Sequence, residues 1–177
     1  MYVSTGGTNV IKQLQAKLPA YSFADLVVLA AAYAVKITNG PDMFSSLRVG
    51  RRDVTDADPE GRMPEETLSA EAQVDVFAAM GFSVTEMVAL LGSHTIGQKG
   101  FGGPLEFDNV YYQSLLKRPW ENKNDKMASM IGLASDRVLP DLGSTKAVIE
   151  RFATDQAAFF QEFERAFIKL SELGYDM

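Results

Sequence analysis

The residue with the most chemistry to offer is His94, the single histidine of a 177-residue chain. It stands in the run Met87-Val88-Ala89-Leu90-Leu91-Gly92-Ser93-His94-Thr95-Ile96-Gly97. One imidazole cannot be both a metal ligand and a separate acid–base group, so chemistry that needs two histidines is beyond these residues. There is no cysteine, which removes thiolate ligands and disulfides. The elements around His94 follow from local signals. Ser83 with Glu86 makes a capping-box pair, so a helix should start near Val84. Met87, Leu90, Leu91 and His94 then fall at i, i+3, i+4 and i+7, which puts the imidazole on the apolar stripe, and Gly97 is the expected stop. Two roles are open. The imidazole could coordinate iron in a dry pocket if its other nitrogen is tied to an acceptor, or it could be a core histidine that is simply hydrogen-bonded. The pattern alone favours the second.

The other segments read as helical nearly throughout. Ser22 with Asp25 caps a helix running to about Thr38, with Asn39-Gly40-Pro41 as its stop. Residues 41–68 are rich in Pro, Gly and Asp and read as a long ordered loop, a kind that usually exists for a functional reason. Ser69 to Met80 is a short helix ending at Gly81. Asp108 to Leu116 is another, with Tyr111, Tyr112 and Leu115 available for packing. Met127 to Ile131 is a short element. Thr145 to Leu173 reads as the longest helix, its Phe152, Phe159, Phe163, Phe167 and Leu170 forming one stripe assigned to the core. No segment shows β alternation, and there is no repeat or low-complexity run.

Composition agrees with one ordinary globular domain, since 177 residues suffice for a real core. A formal net charge of −6 argues against a general nucleic-acid or anionic-membrane surface, though Arg48, Arg51 and Arg52 could form a local basic patch. The longest apolar stretch, Leu26 to Val35, is far too short to span a bilayer. Neither a signal peptide nor a transmembrane segment is read at the N-terminus.

Leu90-Leu91-Gly92-Ser93-His94-Thr95-Ile96-Gly97, followed by Phe107-Asp108-Asn109-Val110-Tyr111-Tyr112, resembles the proximal-histidine signature of the plant-type haem peroxidase superfamily. Three further stretches resemble that family in the same order. Tyr21 to Ala30 is similar to the helix before the haem pocket. Val49-Gly50-Arg51-Arg52-Asp53 with Asp58-Pro59-Glu60-Gly61-Arg62-Met63-Pro64 is similar to the loop entering the proximal domain. Ala134-Ser135-Asp136-Arg137-Val138-Leu139 resembles the segment carrying the proximal aspartate. The likeness runs from about Leu18 to Gly174. Gly100-Phe101-Gly102-Gly103-Pro104 and Leu115-Leu116-Lys117-Arg118-Pro119-Trp120 look most like the intracellular class I branch, the ascorbate peroxidase-related group of plants and algae.

The resemblance implies an all-α, haem-peroxidase-like fold in its proximal portion, with the distal helices and their arginine and histidine missing. The expectation is a single partial domain, with 1–40 as an inter-domain helix region, 41–68 as the loop and 69–177 as the proximal haem-binding region. It implies haem b, with His94 as axial ligand to iron and Asp136 as acceptor of its other ring proton. Leu91, Ile96, Gly97 and Phe101 would line the cofactor. Thr95 and Asp108 match residues that bind a structural cation, K+ or Ca2+, in several family members, although the contraction around Gly102 and Gly103 removes some of the ligands. The family's tryptophan behind the histidine is missing, since Trp120 lies beyond the next helix, and Phe101 is the nearest aromatic to take the place. The arginine that binds ascorbate in that group falls in the contracted stretch and is absent, which weighs against ascorbate as the donor.

The implied reaction is reduction of hydrogen peroxide by a small-molecule reductant, as in a response to oxidative stress. The alternative is an inactive peroxidase-like interaction or haem-binding module. The expected location is intracellular, chloroplast or cytoplasm, and not secreted. No nucleic-acid partner is expected. An exposed apolar patch around Leu91, His94 and Ile96 would allow self-association.

Overall fold

Serine caps start three helices where the sequence expects them, at Ser22, Ser69 and Ser83. The computed structural model describes residues 5–174 apart from 57, 58, 60 and 62; Asp58, Glu60 and Arg62 of the loop motif therefore lie outside the described residues. Among those residues there are eight α-helices, short 3-10 turns and no strand.

The first helix, α1 (Thr5–Lys17), packs along α2 (Phe23–Ile37), with Ile11 turned into the contact. Ser22 caps α2, its hydroxyl accepting from the Asp25 amide at 3.0 Å. Asp53, far along the loop, completes that end by accepting from the Phe23 and Ala24 amides at 2.8 and 2.9 Å. An acceptor at a helix start satisfies amides that have no partner inside the helix.

Within the Arg48–Arg52 stretch, Arg51 turns inward while Arg48 and Arg52 stay exposed. Arg51 is half-buried against the buried Asp25, with Nη1 donating to Oδ1 at 2.9 Å. Its Nε and Nη2 donate to the Ser171 carbonyl at 2.9 and 2.6 Å. Arg48 lies 3.5 Å from Glu172. Burial pushes the Asp25 carboxyl up, but the Gly50 amide, the Arg51 guanidinium, the Arg51 amide and the Ser22 hydroxyl outweigh it, leaving Asp25 below its ordinary 3.8.

Past the loop come α3 (Ala70–Ala79), capped by Ser69, and α4 (Val84–Leu91), whose Ser83–Glu86 capping box forms as the sequence predicts. Then follow α5 (Val110–Lys117), the single-turn α6 (Ala134–Arg137), α7 (Gly143–Thr154) and α8 (Gln156–Ser171). The expected helix from Thr145 to Leu173 is thus two helices. Asp155 breaks it, with extended backbone at φ −131° and ψ 91°, and its carboxylate accepts from the Ala158 amide at 2.9 Å to start α8. Asp favours this cap over a helix interior because its side chain competes for the backbone amides. The stripe itself is core as expected at Phe152, Phe159 and Phe163, while Leu170 is exposed.

Helix α8 lies across α4, and α7 lies across α5. Tyr112, Phe107, Phe152, Phe159 and Phe163 interlock between them in edge-on, tilted and stacked pairs 4.8–5.9 Å apart. Lys169 closes the far side, donating to the Gly81 carbonyl at 2.7 Å and to both Glu86 oxygens at 2.9 Å. No single helix among the described residues is long and apolar enough to cross a membrane.

Candidate haem-ligand site

His94 does not sit on the α-helix expected to reach Gly97. Helix α4 ends at Leu91 and tightens into a 3-10 turn over Gly92–Thr95 that carries the imidazole. The reason lies in Tyr112, whose buried hydroxyl donates to the Val88 carbonyl at 3.0 Å and reaches the Ala89 carbonyl at 3.4 Å, at the end of α4. Gly92 permits this approach. A Cβ there would stand 2.1 Å from the Tyr112 hydroxyl and 2.6 Å from the Phe159 ring. Gly97 still turns the chain, at φ 93°, one residue beyond the 3-10 turn's cap at Ile96.

The structure brings His94 and Asp136 together. Nδ1 lies 2.8 Å from Asp136 Oδ1, and the carboxylate is 1% exposed. The same oxygen accepts from the Tyr111 hydroxyl at 2.8 Å, while Oδ2 accepts from the Leu133 amide at 2.9 Å. A carboxylate surrounded by donors accepts the imidazole proton at Nδ1, which leaves the lone pair on Nε2. The imidazole side chain keeps 29% of its surface exposed. An oriented histidine with one nitrogen committed to a carboxylate and the other unspent is a donor suited to iron in a macrocycle.

Several elements hold Asp136 in place. The Ser135 amide donates to the Glu66 carbonyl at 3.0 Å, and Gln73, itself buried, donates to the Ser135 carbonyl at 3.0 Å. The long loop and α3 thereby fix the single turn that presents the carboxylate. The loop after His94 is pinned twice, by the Gly97 amide on the Pro104 carbonyl at 2.9 Å and the Gly132 amide on the Lys99 carbonyl at 2.8 Å.

Phe101 is fully buried, but its ring packs edge-on against Tyr111, centroids 4.8 Å apart. Tyr111, not Phe101, stands with its ring against the imidazole, 6.1 Å away at 88°. This is the site residue that sequence reasoning placed only in packing. Its phenol is pushed well above 10.0 by burial and by the adjacent Asp136 carboxylate. A tyrosine at the second helical position after Asn109 offered no signal by itself, since the partner lies 25 residues away.

Thr95 and Asp108 meet directly, the Thr95 hydroxyl donating to Asp108 Oδ1 at 2.7 Å. The Val110 amide donates to the same oxygen at 3.0 Å. Among the described residues no group of three His, Cys, Asp or Glu assembles that could hold a metal ion. Leu91 and Ile96 are half-buried and packed against the core. The strongly exposed apolar side chains lie elsewhere, at Val10, Ile37, Leu105, Met127 and Met130 among others. Trp120 sits under Arg137, 5.8 Å from its ring centre.

A buried carboxylate orienting a lone imidazole on an all-helical frame is the arrangement the sequence resemblance implies, and comparison with known proteins shows the family. The peroxidase family model matches residues 3–155, and the chain belongs to that family. Several of the relatives it is similar to are named as ascorbate peroxidases. The chain is 46% identical over 153 residues, 86% of its own length, to a protein of Arabidopsis thaliana named "Putative L-ascorbate peroxidase 6", of which it spans 46%. It is 34% identical to cytosolic L-ascorbate peroxidase 1 of Oryza sativa subsp. japonica, covering 94% of this chain and 68% of that protein. It is 37% identical to cytosolic L-ascorbate peroxidase 2 of Arabidopsis thaliana, covering 93% and 65%. The chain therefore spans roughly half to two thirds of the relatives it matches.

Proposed function

We propose that these residues form the proximal, iron-holding part of a haem peroxidase that reduces hydrogen peroxide with electrons from a small-molecule donor. The observation that carries this reading is the His94 Nδ1–Asp136 Oδ1 contact at 2.8 Å, which leaves Nε2 as the available ligand. His94 would hold the iron of haem b through Nε2, with Leu91, Ile96 and Gly97 beside it. Haem, when bound, supplies the two-electron chemistry that peroxide reduction needs.

Each protein group then has a defined task. Asp136 holds the proton on Nδ1, which restrains the imidazole from turning over and would direct its electron density to a metal held at Nε2. Tyr111 and the Leu133 amide keep the carboxylate from rotating. Gly92 lets Tyr112 and Phe159 close behind the 3-10 turn, which fixes the height of the imidazole. With its only imidazole assigned to iron, the chain offers no second histidine as a base on the peroxide side. A positioned acid–base group contributes about 10²–10⁴-fold to such proton transfers. We infer that fast turnover depends on groups outside these 177 residues.

The relatives named cytosolic, together with others named peroxisomal, support an intracellular location. They also make ascorbate the first donor to test. Against it stands the missing arginine of the contracted stretch between Gly97 and Phe107, where Lys99 is the one basic residue. Direct pairing of Thr95 with Asp108 supports a site stabilised without a structural cation.

The test is a haemin titration followed by absorbance. A bound form with a Soret band that persists on gel filtration is expected for the wild-type chain, and His94→Ala should lose it. A band of equal strength in His94→Ala would overturn the ligand assignment. A wild-type chain that binds no haem would favour the rival reading, an interaction module with no cofactor.

A further inference from the structure

We propose that Tyr111 is a positioning residue for the imidazole, acting through Asp136 to set how strongly the His94 proton is held. The inference deepens the haem-ligand reading, and its consequence at the iron rests on that reading. Three observations support it. The Tyr111 hydroxyl and His94 Nδ1 converge on one oxygen, Asp136 Oδ1, each at 2.8 Å. The Tyr111 ring stands edge-on to the imidazole, so it also limits rotation of that ring. Both Tyr111 and Asp136 are fully enclosed, at 0% and 1% exposure, so water does not compete for these bonds.

The placement comes from the start of α5. Asp108, just before it, accepts from Thr95, and Tyr111, in its first turn, donates to Asp136. The two bonds straddle His94, one to the residue after it and one to its acceptor. A phenylalanine would fill the same space against Phe101, Tyr112 and the imidazole. The hydroxyl adds only the bond to Oδ1, and that bond has an electrostatic consequence. Two donors on one oxygen share its negative charge, so each is held less tightly than it would be alone. Tyr111 thus weakens the pull of Asp136 on the Nδ1 proton and restrains the imidazolate character passed toward Nε2.

The experiment compares the full chain with Tyr111→Phe, first without haem, by proton and nitrogen NMR of the His94 ring. In the wild type, the Tyr111 hydroxyl proton and the His94 Nδ1 proton should show a nuclear Overhauser contact, since they share one acceptor. In Tyr111→Phe the Nδ1 proton should move downfield as its bond to Asp136 strengthens. A purely structural role would lower the melting temperature and leave this resonance unmoved. With haem bound, the ferrous iron–histidine stretching frequency should rise in Tyr111→Phe relative to wild type.

A folded variant with an unmoved Nδ1 proton overturns the proposal. If Tyr111→Phe fails to fold, the wild-type contact decides, and its absence overturns the proposal. A chain that shows both NMR effects but binds no haem would leave this inference standing and defeat the haem-ligand reading.

Discussion

Two regions of this molecule are held together by different physics. Around the site, α4, α5, α7 and α8 enclose an aromatic cluster in which Tyr112, Phe152, Phe159 and Phe163 have almost no exposed surface. At the other end, α1 leans on α2 across a mostly apolar cleft, and Val10, Tyr33 and Ile37 remain more than half exposed. That flank is fastened by polar clasps instead. Asp53 holds the start of α2, while Asp25 and Arg51 tie the loop to α2 and to the last turn of α8. The backbone behind the imidazole is thus backed by close packing, which responds to volume. The flank is set by charge and backbone bonds, which respond to pH.

Substitutions can test this division. The largest effect should come from Phe159→Ala, because Phe159 touches Phe107, Tyr112, Phe152 and Phe163 and approaches Gly92. A cost of about 4 kcal/mol is expected. Urea unfolding measures it, and a loss under about 1 kcal/mol would show that the cluster does not govern the site.

Arg51→Ala comes next, at about 3 kcal/mol, since it strands a buried carboxylate. The same variant sharpens the comparison through pH. Asp25 is held below 3.8 when folded, so its contribution is complete above that value and declines as acid protonates it. In that range the unfolded chain binds the proton first, and acid favours unfolding. The wild type should lose stability as pH falls below about 4, and Arg51→Ala should lose it less steeply. Equal acid limbs would remove Asp25 from the account.

The smallest effect is expected at Ile37→Gln, on the exposed face of α2. It should stay within about 0.5 kcal/mol, and a larger loss would mean that the flank buries more apolar surface than the isolated chain shows.

What could be read from the residues divides along the same line. Local signals were legible. Ser22, Ser69 and Ser83 sit at N-caps and α4 carries its capping box, because such bonds span only three residues. Helices α3 and α5 lie within one or two residues of expectation. The break at Asp155 was not legible, since the apolar stripe continues through it and only the cap reveals two helices. The 3-10 turn under His94 was hidden for another reason. It depends on Tyr112 meeting carbonyls more than twenty residues earlier. The pairing of His94 with Asp136 came from a family likeness, as spacing alone gave no reason to join residues 42 apart. Tyr111 was missed because a fully buried phenol looks like packing until its hydroxyl partner is known.

The reach of α8 over α4 has a consequence for synthesis. Phe159, backed by Phe163, closes the space behind Gly92, and Lys169 ties off the turn between α3 and α4. These residues are made after the segment they cover, because α8 follows α4 in the chain. While the ribosome is still building α8, the segment carrying His94 is complete in sequence but lacks the wall that fixes its backbone. During that interval Leu90, Tyr112 and Phe107 present an open apolar face, the kind of surface on which nascent chains aggregate or recruit chaperones. The 3-10 turn that carries His94 therefore gains its backing only once α8 has docked.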